Sequence, residues 1–93
     1  MEGTFYTYIA RCSDDSFYIG ITNDLTEREK RHNQGVGSIY TKNRRPIVIV
    51  YSESYTTRAE AAQREKQLKG WSKKKKENLI TFGHPKGNYF KHT

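Results

Sequence analysis

Ile47-Val48-Ile49-Val50-Tyr51 follows Pro46 as an unbroken run of β-branched and aromatic residues. A strand of that composition is apolar on both faces, so the run is expected to be covered on both sides and to lie centrally in a sheet. It needs partner strands. Residues 4–12 (Thr-Phe-Tyr-Thr-Tyr-Ile-Ala-Arg-Cys) and 17–22 (Phe-Tyr-Ile-Gly-Ile-Thr) supply them, and the turn cluster Ser13-Asp14-Asp15-Ser16 joins those two as a hairpin. Helical signals fill the rest. Thr22-Asn23-Asp24 offers N-caps for a helix over residues 25–33, ended by Gln34-Gly35. Residues 34–45 are expected as a polar loop. Thr56 or Thr57 caps a helix over 58–69 that stops at Gly70, and Ser72 starts a shorter one over 73–82.

This is an α/β chain of the α+β type, in the order ββαβαα. A small three-stranded antiparallel sheet flanked by helices is the economical packing for it. Residues 1–82 are expected to form one domain and residues 83–93, which lack periodicity, a loose tail. With 93 residues the core must be compact, and seven tyrosines and four phenylalanines must fill much of it. Cys12 is the sole cysteine, which excludes a disulfide framework, and its place at the end of an apolar run suits a buried thiol. Met1-Glu2-Gly3-Thr4 lacks the basic and apolar segments of a signal peptide, and no apolar run approaches the ~20 residues of a membrane span. A cytoplasmic protein without a membrane partner is expected.

Charge is unevenly distributed. Residues 1–22 set Arg11 against Glu2, Asp14 and Asp15, a balance of −2, so the net +7 leaves +9 on the remaining residues. Such a surface attracts polyanions and releases their counterions. Lys42, Arg44 and Arg45 in the loop, and Lys73 and Lys74 at the start of the Lys73-Lys74-Lys75-Lys76 run, are the candidate nucleic-acid contacts. A helix turns ~100° per residue, so only one or two of the four lysines can face one groove. Trp71 beside them could stack on an unpaired base, but a lone tryptophan is expected in the core.

Glu65 is the sharpest local signal. It shares the inward stripe of its helix with Ala61, Ala62 and Leu68, and a carboxylate there needs a cationic partner. Two readings stand: a divalent metal, or a salt bridge to Arg28, Arg64 or a lysine. Arg28 and His32, spaced i, i+4, share a helix face with Leu25. An arginine there can clamp a phosphate, and a neutral histidine can accept or relay a proton; an ordinary charged face is the alternative. Tyr6 and Tyr8 share one face of the first strand. A two-residue Asp14-Asp15 turn would put Tyr8 and Tyr18 on opposite faces, whereas a three-residue loop over 14–16 would bring them together. Asp-Asp without glycine is a poor two-residue turn, which favours the longer loop.

These residues carry a resemblance. Tyr18-Ile19-Gly20 is an intact YIG triplet on a second strand, and Tyr6-Thr7-Tyr8 stands where a GIY triplet would end. Arg28 and His32 follow on the next helix and Arg64-Glu65 on a later one. Over residues 4–81 the chain resembles the GIY-YIG nuclease superfamily, most of all its small standalone bacterial members of uncharacterised role. It departs from the pattern at Tyr6 and Thr7, which replace Gly and Ile, and Asn78 is the candidate for an asparagine found late in many members.

The resemblance implies a metal-dependent endonuclease that hydrolyses phosphodiester bonds in nucleic acid, DNA first. Glu65 would hold one Mg²⁺ or Mn²⁺ at the scissile phosphate, and Arg28 would add a second positive charge. Tyr8 would take the proton of the attacking water, assisted by Tyr18, with nearby positive charge lowering its pKa, and His32 would relay a proton or orient Tyr18. A monomer or weak dimer is expected. The rival readings are an inactive nucleic-acid-binding module of the same fold and, further off, a protein-interaction domain.

Overall fold

In a computed structural model, which describes residues 3–83, the chain forms three strands and four helices. Strands β1 (Phe5–Arg11) and β2 (Phe17–Thr22) make the expected hairpin, followed by α1 (Leu25–Asn33) and the one-turn helix α2 (Ile39–Lys42). Strand β3 (Val48–Tyr55), α3 (Arg58–Lys69) and α4 (Lys73–Phe82) complete the fold. The order ββαβαα holds, with α2 added inside the segment expected as a plain loop. Residues 84–93, nearly all of the expected tail, lie outside the described residues.

Sheet order corrects one expectation. The strands run β2-β1-β3, antiparallel throughout, so β1 is central and the apolar run belongs to an edge strand. Most of that run is covered, which accounts for its composition, although Val48 is 53% exposed. Ile47 is buried and Ile49 packs on the side of Tyr8, while Val50 and Tyr51 pack on the opposite side against the Ile9 cluster. A bulge between Ile9 and Ala10 lets β1 pair Tyr51 and then Ile49, which turns Val50 out of the alternation. Helix α1 also caps the backbone beside β3. Asn33 accepts from the Ile47 amide at 2.7 Å and donates to its carbonyl at 2.8 Å, and Glu29 accepts from the Ile49 amide at 2.8 Å. Groups that would otherwise invite another strand are thereby satisfied.

The hairpin loop has three residues, but one position earlier than expected. Cys12 and Ser16 close it around Ser13, Asp14 and Asp15, with Asp15 left-handed at φ 69°, a conformation that aspartate tolerates. Cys12 therefore faces Ser16, and the buried thiol has its pKa raised by burial. The shift conserves parity. Tyr8 pairs with Gly20 and Ala10 with Tyr18, so both phenols lie on one face of the sheet.

Two buried layers result. Tyr8, Ala10, Cys12 and Ile47, with Tyr18 and Leu25 against them, fill the α1 side. Ile9, Ile19, Leu68 and Leu79 fill the side of α3 and α4, where Trp71 packs half-buried as expected. Thr7 fastens this side by donating to the Ala61 carbonyl at 2.7 Å. None of the described helices is long and apolar enough to cross a membrane.

Candidate active site

Strand β1 points Tyr8 at the α1 side, and β2 carries a glycine opposite it. A Cβ on Gly20 would lie 2.6 Å from the Tyr8 hydroxyl and 2.8 Å from its Cζ. The third residue of the YIG triplet is thus the floor beneath the Tyr8 phenol. Any larger residue would displace a side chain that is fully buried.

Helix α1 reaches the same phenol with two side chains one turn apart. Arg28 Nε donates to Tyr8 Oη at 3.1 Å, and His32 Nε2 lies 2.7 Å from that oxygen. His32 Nδ1 is 2.9 Å from Thr41 Oγ1, which in turn lies 2.9 Å from Ser38 Oγ, the N-cap of α2. One proton assignment satisfies this chain. Arginine is only a donor, so Tyr8 Oη accepts from Arg28 and turns its own proton to His32 Nε2. The imidazole then carries its proton on Nδ1 and donates to Thr41. Gly37 makes the approach possible, since a Cβ there would stand 2.2 Å from His32 Nδ1, and Arg28 Nη2 donates to its carbonyl at 3.2 Å.

Electrostatics follow from burial. His32 is fully buried, and desolvation, assisted by the Arg28 charge, pulls its pKa down to about 4, so the ring is neutral at pH 7. Tyr8 moves the other way. Burial lifts it to about 12, and Tyr18 and Glu65 push in the same direction, against the Arg28 bond and charge. Arg28 does pull the phenol downward as expected, but burial wins. Arg28 itself is raised: burial opposes its charge, yet the bonds and charges of Tyr8 and Tyr18 prevail.

Tyr18 lies against this group, its ring centroid 5.1 Å from that of His32 and 6.3 Å from that of Tyr8. Tyr40 of α2 has its ring centroid 6.2 Å from that of Tyr18. Glu65 approaches from α3, near enough for its charge to act on Tyr8. Its cation is Lys69, at 3.2 Å, one of the lysines the salt-bridge reading allowed. Arg64 is committed elsewhere, holding Glu53 through Nε at 2.8 Å and Nη2 at 3.0 Å. Tyr6 is half-buried on β1 and Asn78 half-buried on α4, where it is partnered. Tyr8, Tyr18, Arg28 and His32 therefore meet in one cluster, and Glu65 is near enough for its charge to reach Tyr8.

The basic candidates are more dispersed. Lys42 and Lys74 are exposed. Arg44 pairs with Asp14 at 3.1 Å and lies 3.9 Å over the Tyr40 ring, and Arg45 donates to the Lys42 and Asn33 carbonyls. Lys73 sits at the hairpin loop against Asp15 and Glu77. Sequence reasoning missed Lys69, which lines a groove with Tyr18, Tyr40 and Lys76 of the expected lysine run, and it missed the roles of Gly37 and Ser38. A serine three residues before Thr41 is a helix-start signal that could have exposed α2.

A strand-borne phenol over a YIG glycine, gripped by an arginine and a histidine from the next helix, defines a GIY-YIG catalytic domain. The description of that domain matches residues 4–78, and the chain belongs to the GIY-YIG family, a nuclease family whose substrates are nucleic acids. Its relatives are small bacterial proteins. The UPF0213 protein YazA of Bacillus subtilis is 47% identical over 75 residues, covering 81% of this chain and 76% of that one. A UPF0213 protein of Staphylococcus aureus is 45% identical over 75 residues, covering 81% and 92%. Among solved structures, the UPF0213 protein of Bacillus halodurans superposes with a TM-score of 0.55 at 37% identity, covering 95% of each chain. A protein of Enterococcus faecalis gives 0.56 at 35% identity, covering 89% and 92%.

Proposed function

We propose that this domain is a metal-dependent endonuclease that hydrolyses phosphodiester bonds in nucleic acid, DNA foremost. The observation that carries the reading is the Arg28–Tyr8–His32 chain, a phenol bonded to a cation on one side and to a neutral imidazole on the other. Hydrolysis needs an attacking hydroxide and positive charge on the pentacoordinate phosphate. As Tyr8 Oη takes a proton from water, it can pass its own to His32 Nε2, which exchanges a buried phenolate for a buried imidazolium that desolvation and the Arg28 charge oppose. An Nδ1–H donated to Thr41 would leave Nε2 free to accept that proton, and the resulting imidazolium would keep the Thr41 bond. Arg28 stabilises charge on the phenol oxygen and, with phosphate bound, on a non-bridging oxygen.

Among the described residues no three His, Cys, Asp or Glu side chains gather as a metal cage. Glu65 fits a different kind of site. Magnesium is commonly held by one carboxylate plus waters and substrate phosphate, and the present partner of Glu65 is an exposed lysine that can swing away. When bound, one Mg²⁺ or Mn²⁺ would supply Lewis-acid charge at the phosphate. Lys42, Arg44, Arg45, Lys73 and Lys74 are proposed to contact the nucleic-acid backbone, joined by Lys69 and Lys76.

One observation favours an inactive binding module: burial raises Tyr8 to about 12, away from the range of a working base. Cleavage assays decide between the two. With Mg²⁺, the protein is expected to cut at least one of a single-stranded, duplex or branched substrate, and Glu65→Ala and Arg28→Ala are expected to abolish cutting. Binding that survives Glu65→Ala with no cleavage by any form supports the inactive module instead.

A further inference from the structure

A groove of about 250 Å³ opens beside the phenol pocket, lined by Phe17, Tyr18, Ile19, Tyr40, Lys69 and Lys76. Two of these residues tie it to the proposed chemistry. The Tyr18 ring centroid lies 5.1 Å from that of His32, 6.3 Å from that of Tyr8 and 6.2 Å from that of Tyr40. Lys69 lies on the groove rim and on Glu65 at once. Tyr18 and Lys69 are therefore shared between the groove and the neighbourhood of the Tyr8 phenol and Glu65.

Its walls have a definite chemistry. The Tyr18 and Tyr40 rings are inclined by only 28° and form one aromatic wall. Tyr40 is 38% exposed, and the Arg44 guanidinium 3.9 Å over its ring holds it in place. Lys69 and Lys76 line the same space, and burial together with Lys73 lowers the Lys76 pKa. Aromatic faces accept the π-face of any base, and flanking cations accept its phosphates. Pockets for drug-sized ligands run to roughly 300–1,000 Å³, so this groove suits one base with its sugar.

We propose that the groove is a subsite for a single nucleobase, displaced from its neighbours and packed on Tyr18 and Tyr40, next to the phosphate bound at Arg28. The inference rests on the nucleic-acid reading of the same site and specifies what lies beside the phosphate there. A base enters only after leaving its stack, which is least unfavourable where it is unpaired or mismatched.

Fluorescence anisotropy in EDTA tests the subsite apart from hydrolysis. The ligands are a labelled DNA oligonucleotide, single-stranded and as its duplex, and versions carrying one abasic position moved along the strand. Tyr40→Ala is expected to weaken binding to the intact strand roughly tenfold, and Tyr40→Phe to restore it. One abasic position should weaken wild-type binding by a similar factor and add no further loss in Tyr40→Ala. Binding by a folded Tyr40→Ala protein that equals wild type overturns the subsite, as does an equal loss on intact and abasic strands. Absence of any binding overturns the subsite and the nucleic-acid reading together. Because EDTA silences cleavage, a failed subsite leaves the Mg²⁺ assay free to succeed, and abasic-sensitive binding without cleavage removes only the nuclease reading.

Discussion

At Gly20 the β2 backbone comes so near the Tyr8 ring that one added methyl would collide with the hydroxyl at 2.6 Å. The phenol cannot retreat, because Arg28 and His32 fix its oxygen and the ring is fully buried. Gly20→Ala is therefore expected to lower stability by about 1–3 kcal/mol, the usual range for overfilling a packed site, and to detach Tyr8 from both partners. Urea unfolding checks the first effect and cleavage the second. His32 makes a separate prediction in pH. Its pKa is depressed in the fold from the ordinary 6.5 to about 4. The unfolded chain therefore takes up a proton near pH 6.5 while the native state refuses it until about pH 4. Stability should fall as pH drops through that window, and the loss should be complete below it. Melting temperatures between pH 7 and 4 should decline less for His32→Gln than for wild type, each referred to its own value at pH 7.

Elements explain which parts of this were legible beforehand. The β1–β2 hairpin, α1, α3 and α4 were open to reading because capping residues and turn clusters bound them: Asp24, Thr57 and Ser72 each accept a backbone amide at a helix start. Strand β3 was placed wrongly within the sheet. An apolar run records cover on both faces, and an edge strand has such cover when α1 packs on one side and the Ile9 cluster on the other. Its outer backbone is met by Asn33 and Glu29, whose role no spacing rule reveals. Helix α2 has only four residues, too few for a periodic signal, yet its Thr41 is fully buried and sets the His32 ring. Thr41→Val keeps the volume and removes the acceptor. It is expected to reduce cleavage about tenfold or more, in the range for partners that orient a functional histidine, while binding of nucleic acid persists. Single-turnover rates and anisotropy on the same variant separate the two effects.

Over the whole molecule, the sheet divides the labour. Its α1 side carries the buried phenol–imidazole chain, and α3 carries the Glu65–Lys69 pair, whose carboxylate charge reaches Tyr8. Wider grooves exist, such as one of about 790 Å³ along Glu53, Tyr55 and Arg64. There Glu53 is already saturated by Arg64 and by the Tyr51 and Tyr55 hydroxyls, so the groove offers little unspent chemistry. Most of the positive charge falls after residue 22, where the helices and the loop between α1 and β3 lie. The phenol of Tyr8 is the point on which these features converge. Tyr8→Phe retains the ring and deletes only the oxygen, so the decisive measurement is its single-turnover hydrolysis rate beside wild type at saturating Mg²⁺. A fall of roughly 10²–10⁴-fold, the span of a lost general base, with nucleic-acid affinity unchanged, is the predicted result. Hydrolysis by Tyr8→Phe at the wild-type rate would contradict it.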